Sequence, residues 1–267
     1  MSYCIEYTVL CHTGLVRAKN QDNFWCMGEF LQSKNDGLAE SIIGTADAKS
    51  FPAFAVFDGM GGEQQGEVAA YIAAGRFDTT YRESSKNDIK QFLLEACASM
   101  NKAICTHAKE QHIRRSGSTV AILMFGKKDI YICNIGDSRI YQFSDNKLTQ
   151  ISHDHSETSI TGRKPPLTQS LGVPETEFVI APYVAKGLYE SRDKYLICSD
   201  GLTDMVSEDE IGKIITENSG IIKSSEALLQ KALEAGGHDN ITLILCEIRR
   251  QGLNLFKQNI LRGGVFK

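Results

Sequence analysis

One arrangement recurs along this chain: an apolar, strand-length run that ends at once in an aspartate beside glycine or asparagine. It occurs as Phe54-Ala55-Val56-Phe57-Asp58-Gly59, as Asn134-Ile135-Gly136-Asp137, as Leu196-Ile197-Cys198-Ser199-Asp200-Gly201, and mirrored as Gly237-His238-Asp239-Asn240 before Ile241. A single Asp-Gly is an ordinary turn. Four of them at the ends of core strands constrain the fold further, because each aspartate projects from a rigid scaffold and each adjacent glycine admits close backbone approach. If these strands are neighbours, the carboxylates converge. Their repulsion then requires a bound cation or a retained proton.

An all-oxygen carboxylate set suits hard Mg²⁺ or Mn²⁺ and disfavours zinc, which prefers His and Cys. Several acids around two such ions are the equipment for phosphoryl chemistry, in which the metals acidify a water and neutralise phosphate charge. Such a site also needs a cation for the outer phosphate oxygens. Arg17-Ala18-Lys19-Asn20-Gln21-Asp22 supplies an arginine fork that matches phosphate bidentately, together with another acid.

Short β-branched or aromatic runs predict strands over Tyr7–Cys11, Phe54–Phe57, Thr119–Phe125, Ile130–Ile135, Ile140–Phe143, Tyr195–Cys198 and Ile241–Ile248. The short links after Phe125 and Ile135 suit hairpins, so the three middle runs are expected to form an antiparallel meander. Helical stripes are expected from about Gln64 to Tyr81 and along Ile89, Phe92, Leu93, Ala96, Met100, Ala103, Ile104 and His107. Ser207-Glu208-Asp209-Glu210 reads as a capping box, and Ser224 or Ser225 as the start of a further helix through Leu233. Stretches 28–51 and 152–169 read as loops. Helices in pairs between groups of strands make an α+β layered arrangement.

Net charge is −4 over 267 residues, so no global basic field exists to hold nucleic acid. No apolar run approaches the roughly 20 residues that span a bilayer, and Met1–Leu10 lacks a signal-peptide pattern, which reads as cytoplasmic. The eight cysteines form no C-x-x-C pair and several sit in apolar runs, as small buried hydrophobes in a reducing compartment do. The stretch Arg249–Lys267 carries Arg249, Arg250, Lys257, Arg262 and Lys267 with no acid, and its Leu253, Phe256 and Ile260 can share one helix face.

The blocks Gly14-Leu15-Val16-Arg17-x-x-Asn20-Gln21-Asp22, Phe54-x-Val56-Phe57-Asp58-Gly59-Met60-Gly61-Gly62, Gly117-Ser118-Thr119, Asn134-x-Gly136-Asp137-Ser138-Arg139, Leu196-x-x-Ser199-Asp200-Gly201-Leu202-Thr203-Asp204 and Gly237-x-Asp239-Asn240-Ile241-Thr242 resemble, in order, the motif series of metal-dependent protein phosphatases of the 2C type. The resemblance runs from about residue 5 to 248, and the Asp-Gly-Met-Gly-Gly form looks bacterial. It implies a four-layer α-β-β-α sandwich of two antiparallel β-sheets flanked by pairs of antiparallel helices. A catalytic domain over 1–248 and a basic tail over 249–267 follow, and a monomer is expected.

The activity implied is hydrolysis of phosphoserine and phosphothreonine on proteins, opposing a serine/threonine kinase, by attack of a water or hydroxide bridging two divalent metals, Mn²⁺ or Mg²⁺. By motif position Asp58 would bridge the metals, the Gly59 carbonyl would complete one site, and Asp200 and Asp239 the other. Asp22 would hold metal-bound waters and Arg17 would bind the phosphate. Asp137, with Asp200, resembles the acid that supports a third, weaker metal; Asp204 is a lesser candidate. Animal relatives carry a histidine where this chain has Met60, so the leaving-group acid is left open. The stretch from Ser152 to Leu171 is shorter than the usual bacterial flap, which implies an open cleft. His153 and His155 there read either as solvated loop histidines or as an H-x-H metal pair.

Two further readings compete. A catalytically inactive, phosphoprotein-binding pseudophosphatase would keep the scaffold and lose the chemistry. A two-metal nuclease would use similar acids but needs a basic groove for the strand.

Overall fold

The computed structural model describes residues 2–60, 65–157 and 165–250. The expected tail beyond Arg250, the glycines Gly61 and Gly62, and the middle of the short flap, residues 158–164, lie outside the described residues.

One sheet contains β1 (Tyr3–His12), β3 (Ile42–Asp47), β8 (Arg139–Ser144), β9 (Lys147–Gln150), β11 (Lys194–Cys198) and β12 (Ile241–Arg250), in the order β3-β1-β12-β11-β8-β9. The other contains β2 (Asp22–Cys26), β4 (Ala53–Met60), β6 (Val120–Phe125), β7 (Asp129–Ile135) and β10 (Tyr183–Leu188), in the order β10-β7-β6-β4-β2, with β5 (Gly117–Ser118) paired to the end of β4. Every pairing is antiparallel.

Alternation of side chains along each strand builds two cores at once. In β4, Phe54 and Val56 point into the space between the sheets, where Phe24, Leu123, Phe125, Ile197 and Ile244 meet them. Ala53, Ala55 and Phe57 point the other way, onto α1 (Gly66–Glu83) and α2 (Ile89–Glu110). Strands covered on both faces read as continuous apolar runs, which is why the central ones stand out in the sequence. Ala69, Ala70, Ala73 and Ala74 form the buried stripe of α1, small enough for the helix to lie close against the sheet. On the far side, α4 (Glu208–Glu217) and α5 (Ile221–Glu234) cover the first sheet through Ile211, Ile215, Leu228 and Ala232. The layers are therefore α-β-β-α, as the motif resemblance implies.

Local signals hold in part. Asp88 caps α2 by accepting from the Gln91 amide at 3.0 Å, and Ser207 caps α4 by accepting from the Glu210 amide at 3.4 Å. Glu210 completes a tie between helices through an ion pair to Lys231 at 3.3 Å. The expected start of α5 at Ser224 or Ser225 is corrected: the helix begins at Ile221, after Gly220. Both serine hydroxyls instead donate back to the Gly220 and Ile221 carbonyls, at 2.9 and 2.8 Å.

The meander expectation is also corrected. β6 and β7 do form the hairpin, with Phe125 opposite Ile130. β8, however, leaves for the other sheet, where it pairs with β11 and β9. Gly136-Asp137-Ser138 is thus a crossing between sheets. Strands buried on both faces carry no polar alternation to say which sheet they join, and a three-residue link serves both outcomes. The stretches read as loops likewise contain β3 at an edge, and β2, β9 and β10 carry no sequence signal strong enough to have been expected.

Candidate metal centre

The pairing of β2 with β4 sets Asp22 directly opposite Asp58 at the strand ends. Beyond Asp58 the chain is pinned on both sides. Its amide donates to Thr119 Oγ1 at 3.1 Å, and the Thr119 amide donates to the Asp58 carbonyl at 2.8 Å. Thr119 Oγ1 lies 2.7 Å from Ser138 Oγ, so the same threonine ties the Asp137 crossing to β4. Asp200 opens the short helix α3 (Asp200–Thr203) immediately after β11. Two glycines allow the backbone to close in. A Cβ on Gly59 would lie 2.1 Å from the Gly66 carbonyl oxygen, and one on Gly201 would lie 2.0 Å from that of Asn240. No other residue fits at either place.

The outcome is a cluster in which one carboxylate oxygen from each of Asp58, Asp137 and Asp200 lies within 4.8 Å of the others. Asp200 is buried and the other two are half-buried. Each ionised pair at such range repels by roughly 3–4 kcal/mol at an effective dielectric of about 20. Three oxygen donors held this way by backbone, rather than by flexible loops, fit a hard divalent cation. Among the described residues this is the one cluster of the kind. His153 and His155 are not part of it, and neither is Asp204, which closes α3 with its amide on the Asp200 carbonyl at 2.7 Å.

Asp22 and Asp239 stand apart from the three. Asp22 is 2 % exposed, and its Oδ2 accepts from the Ser199 hydroxyl at 2.7 Å. Burial pushes its carboxyl pKa up to about 7; hydrogen bonds from Ser199 and Thr242 pull the other way, and nearby Asp239 adds to the rise. Asp239 Oδ2 instead accepts from Arg17 Nη2 at 2.7 Å. Both side chains are partly exposed, and this contact raises the Arg17 pKa. The structure thus pairs the expected phosphate arginine with an expected metal ligand.

Several supporting residues escaped functional assignment from sequence although their motifs were visible. Asn240, 3 % exposed, accepts from the Gln21 amide at 2.8 Å and donates to the carbonyls of Thr13 and Lys19 at 2.7 and 2.9 Å, so it grips both ends of the loop that carries Arg17. Asn134 makes a two-way contact with the His153 backbone, donating to its carbonyl at 2.6 Å and accepting from its amide at 3.1 Å. His155 is buried, which corrects the solvated reading: its Nδ1 accepts from the Gly136 amide at 3.3 Å and its own amide donates to the Gly136 carbonyl at 2.9 Å. Burial lowers its pKa and favours the neutral acceptor. His155 braces the Asp137 crossing through Gly136, and the His153 backbone holds Asn134 near the end of β7. Their H-x-H spacing and the buried Asn240 were the available signals. His238 is exposed beside Asp239.

Comparison with known proteins identifies the family. A family model described as Protein phosphatase 2C matches residues 39–235. The serine/threonine phosphatase stp of Listeria welshimeri is 32% identical over 253 residues, covering 88% of this chain and 92% of that protein. The serine/threonine protein phosphatase PstP of Mycobacterium tuberculosis is 26% identical over 255 residues, covering 91% of this chain and 45% of that protein. A crystal structure of the PstP catalytic domain in complex with two manganese ions superposes with a TM-score of 0.73 at 26% identity, over 93% of this chain and all of that one. No helix among the described residues is long and apolar enough to cross a membrane. With the strand-end acids clustered and the family match spanning most of the sandwich, the chain belongs to the protein phosphatase 2C family.

Proposed function

We propose that this protein is a metal-dependent serine/threonine phosphatase acting on phosphorylated proteins, and that Asp58, Asp137 and Asp200 form the heart of its metal centre. The observation that carries the reading is the convergence of those three carboxylates beside the Arg17–Asp239 pair. Asp58, Asp137, Asp200 and Asp239, with the Gly59 carbonyl, would hold Mn²⁺ or Mg²⁺, two ions at the core and a third through Asp137. Bound there, such ions acidify water and neutralise phosphate charge.

The protein's own groups supply the rest. Asp22, buried and hydrogen-bonded, holds waters at the floor of the site. Arg17 presents a planar fork to the phosphate once Asp239 is engaged elsewhere, and charge-assisted, bidentate contact suits it better than a lysine. Asn240 keeps the Arg17 loop from drifting. Every core acid and the arginine are present, which argues against an inactive phosphoprotein binder. The acidic balance argues against a nuclease.

Residues 1–248 act as one catalytic unit in this reading, with the basic stretch 249–267 as an appendage; β12 itself runs on through Arg250. The enzyme opposes a serine/threonine kinase and works as a monomer in the cytoplasm. Six of the eight cysteines are buried, and their place as small hydrophobes in the cores supports this reading.

The direct test is incubation with para-nitrophenyl phosphate and Mn²⁺. A yellow product that stops on chelation is expected, and its absence would sink the proposal.

A further inference from the structure

A groove of about 1050 Å³ opens beside the acid cluster, between the C-terminal half of α2, the segment leading into β5, and the loop from Ser170 to Glu177. Its near end is made by Met60 and Gly117, which are register partners in the β4–β5 pairing. Met60 is two residues from Asp58, at most roughly 7 Å along an extended chain. A peptide whose phosphoresidue sits at the metal centre therefore has its neighbours in reach of this groove.

The groove is built rather than incidental. Asn101, buried on α2, accepts from the amides of Gly172 and Val173 at 2.7 and 3.2 Å and donates to the Val173 carbonyl at 2.9 Å. This side chain holds the far wall at a set distance from the helix. A preformed wall of this kind lowers the ordering cost of binding an extended segment.

Its rim carries charge of the sign opposite to the chain as a whole. Lys102, Lys109 and Arg114 are exposed on it and hold no ion pair among the described residues, and exposed Arg115 follows. Arg114 and Arg115 lie three and two residues before Gly117, toward the end nearest the reaction, and Lys102 and Lys109 line the groove from α2. Glu175 and Glu177 sit on the opposite wall, beyond the Gly172–Val173 clamp. Attraction for an acidic side chain is therefore strongest beside Arg114 and Arg115, and Glu175 and Glu177, which also face Cys105 on α2, oppose it elsewhere in the groove.

We infer that this groove is a substrate-docking surface that selects phosphoproteins carrying acidic side chains within about three residues of the phosphoresidue on one side. The inference rests on the phosphatase reading above and adds a substrate preference to it. Exposed charge pairs are individually weak, so two of them give a preference of roughly tenfold, expressed in KM and reduced by salt.

The experiment compares kcat/KM for phosphothreonine peptides with Glu at the flanking positions, on either side, against the same peptides with Gln. The wild type should favour the acidic peptide about tenfold on one side only. K109E/R114E should abolish or invert that preference in favour of lysine-flanked peptides, with K109Q/R114Q as the milder variant if the reversal fails to fold. Equal turnover of acidic and neutral peptides by the wild type, or a preference that survives in both variants, would overturn the groove assignment. A wild-type protein that leaves para-nitrophenyl phosphate untouched in Mn²⁺ would instead strike at the phosphatase reading, so the two failures are distinguishable.

Discussion

The three clustered acids and the Arg17–Asp239 pair lie side by side but hang from different scaffolds. Asp58 lies at the end of the pairing of β4 with β2, Asp137 and Asp200 follow the ends of β7 and β11, and Thr119 and Ser138, both fully buried, lock two of them together. Arg17 and Asp239 lie on loops, partly exposed, and the loop that carries Arg17 is held mainly by Asn240. The rigid half can hold like charges at a distance that flexible loops would relax. The loop half can exchange one partner for another, since an exposed ion pair is worth little on its own. In the function proposed above, one site would thus combine an unyielding metal cradle with an adjustable phosphate grip.

Substitutions in the two halves should separate these roles. The largest effect is expected for Asp58→Asn, which should lower turnover by about a thousandfold or more, because metal stabilisation of transition-state charge is worth several kcal/mol. Its circular dichroism spectrum should stay that of the wild type. Near-normal turnover would show that the rigid half is not the metal centre. Arg17→Ala comes next: losing charge-assisted contacts to phosphate should cost roughly 1.5–3 kcal/mol, read as a higher KM and weaker inhibition by inorganic phosphate. A drop in kcat with KM unchanged would contradict a gripping role. The smallest effect belongs to Asn240→Ala. Removing the loop staple should cost about 1–3 kcal/mol of stability by thermal melt and raise KM severalfold, with little change in kcat. If kcat fell as far as in Asp58→Asn, the distinction between rigid and adjustable halves would collapse.

Much of the rigid half was legible before folding. Apolar runs that end in Asp-Gly announced both the central strands and the acids, because strands covered on both faces leave continuous apolar signatures. The α2 stripe from Ile89 to His107 was equally plain, and the buried cysteines Cys11, Cys26, Cys97, Cys133, Cys198 and Cys246 behave as small hydrophobes. The edges were not legible. In β10, Tyr183, Lys186 and Leu188 are exposed and the rest half-buried, so no regular alternation distinguishes it from a loop. β2 was hidden for another reason: Asp22 and Asn23 are buried through hydrogen bonds, to Ser199 and within the 23–31 turn, that no hydropathy pattern encodes. His155 does lie on a loop, as expected, but it is buried against the Gly136 backbone rather than solvated.

By itself the sequence determined that apolar runs end in aspartates, that these acids can make an all-oxygen set if their strands are neighbours, and that helices come in pairs between groups of strands, since residue types and their periodicity carry that information locally; the two sheets were implied by the motif resemblance. Only the tertiary structure decided that Gly136-Asp137-Ser138 crosses between sheets rather than turning a hairpin. The same crossing decided which acids are neighbours, drawing Asp137 into contact range of Asp58 and Asp200 and leaving Asp239 to Arg17. The reason is physical: a short link and a doubly buried strand satisfy either sheet equally, and the choice is made by distant partners such as β11, Thr119 and His155.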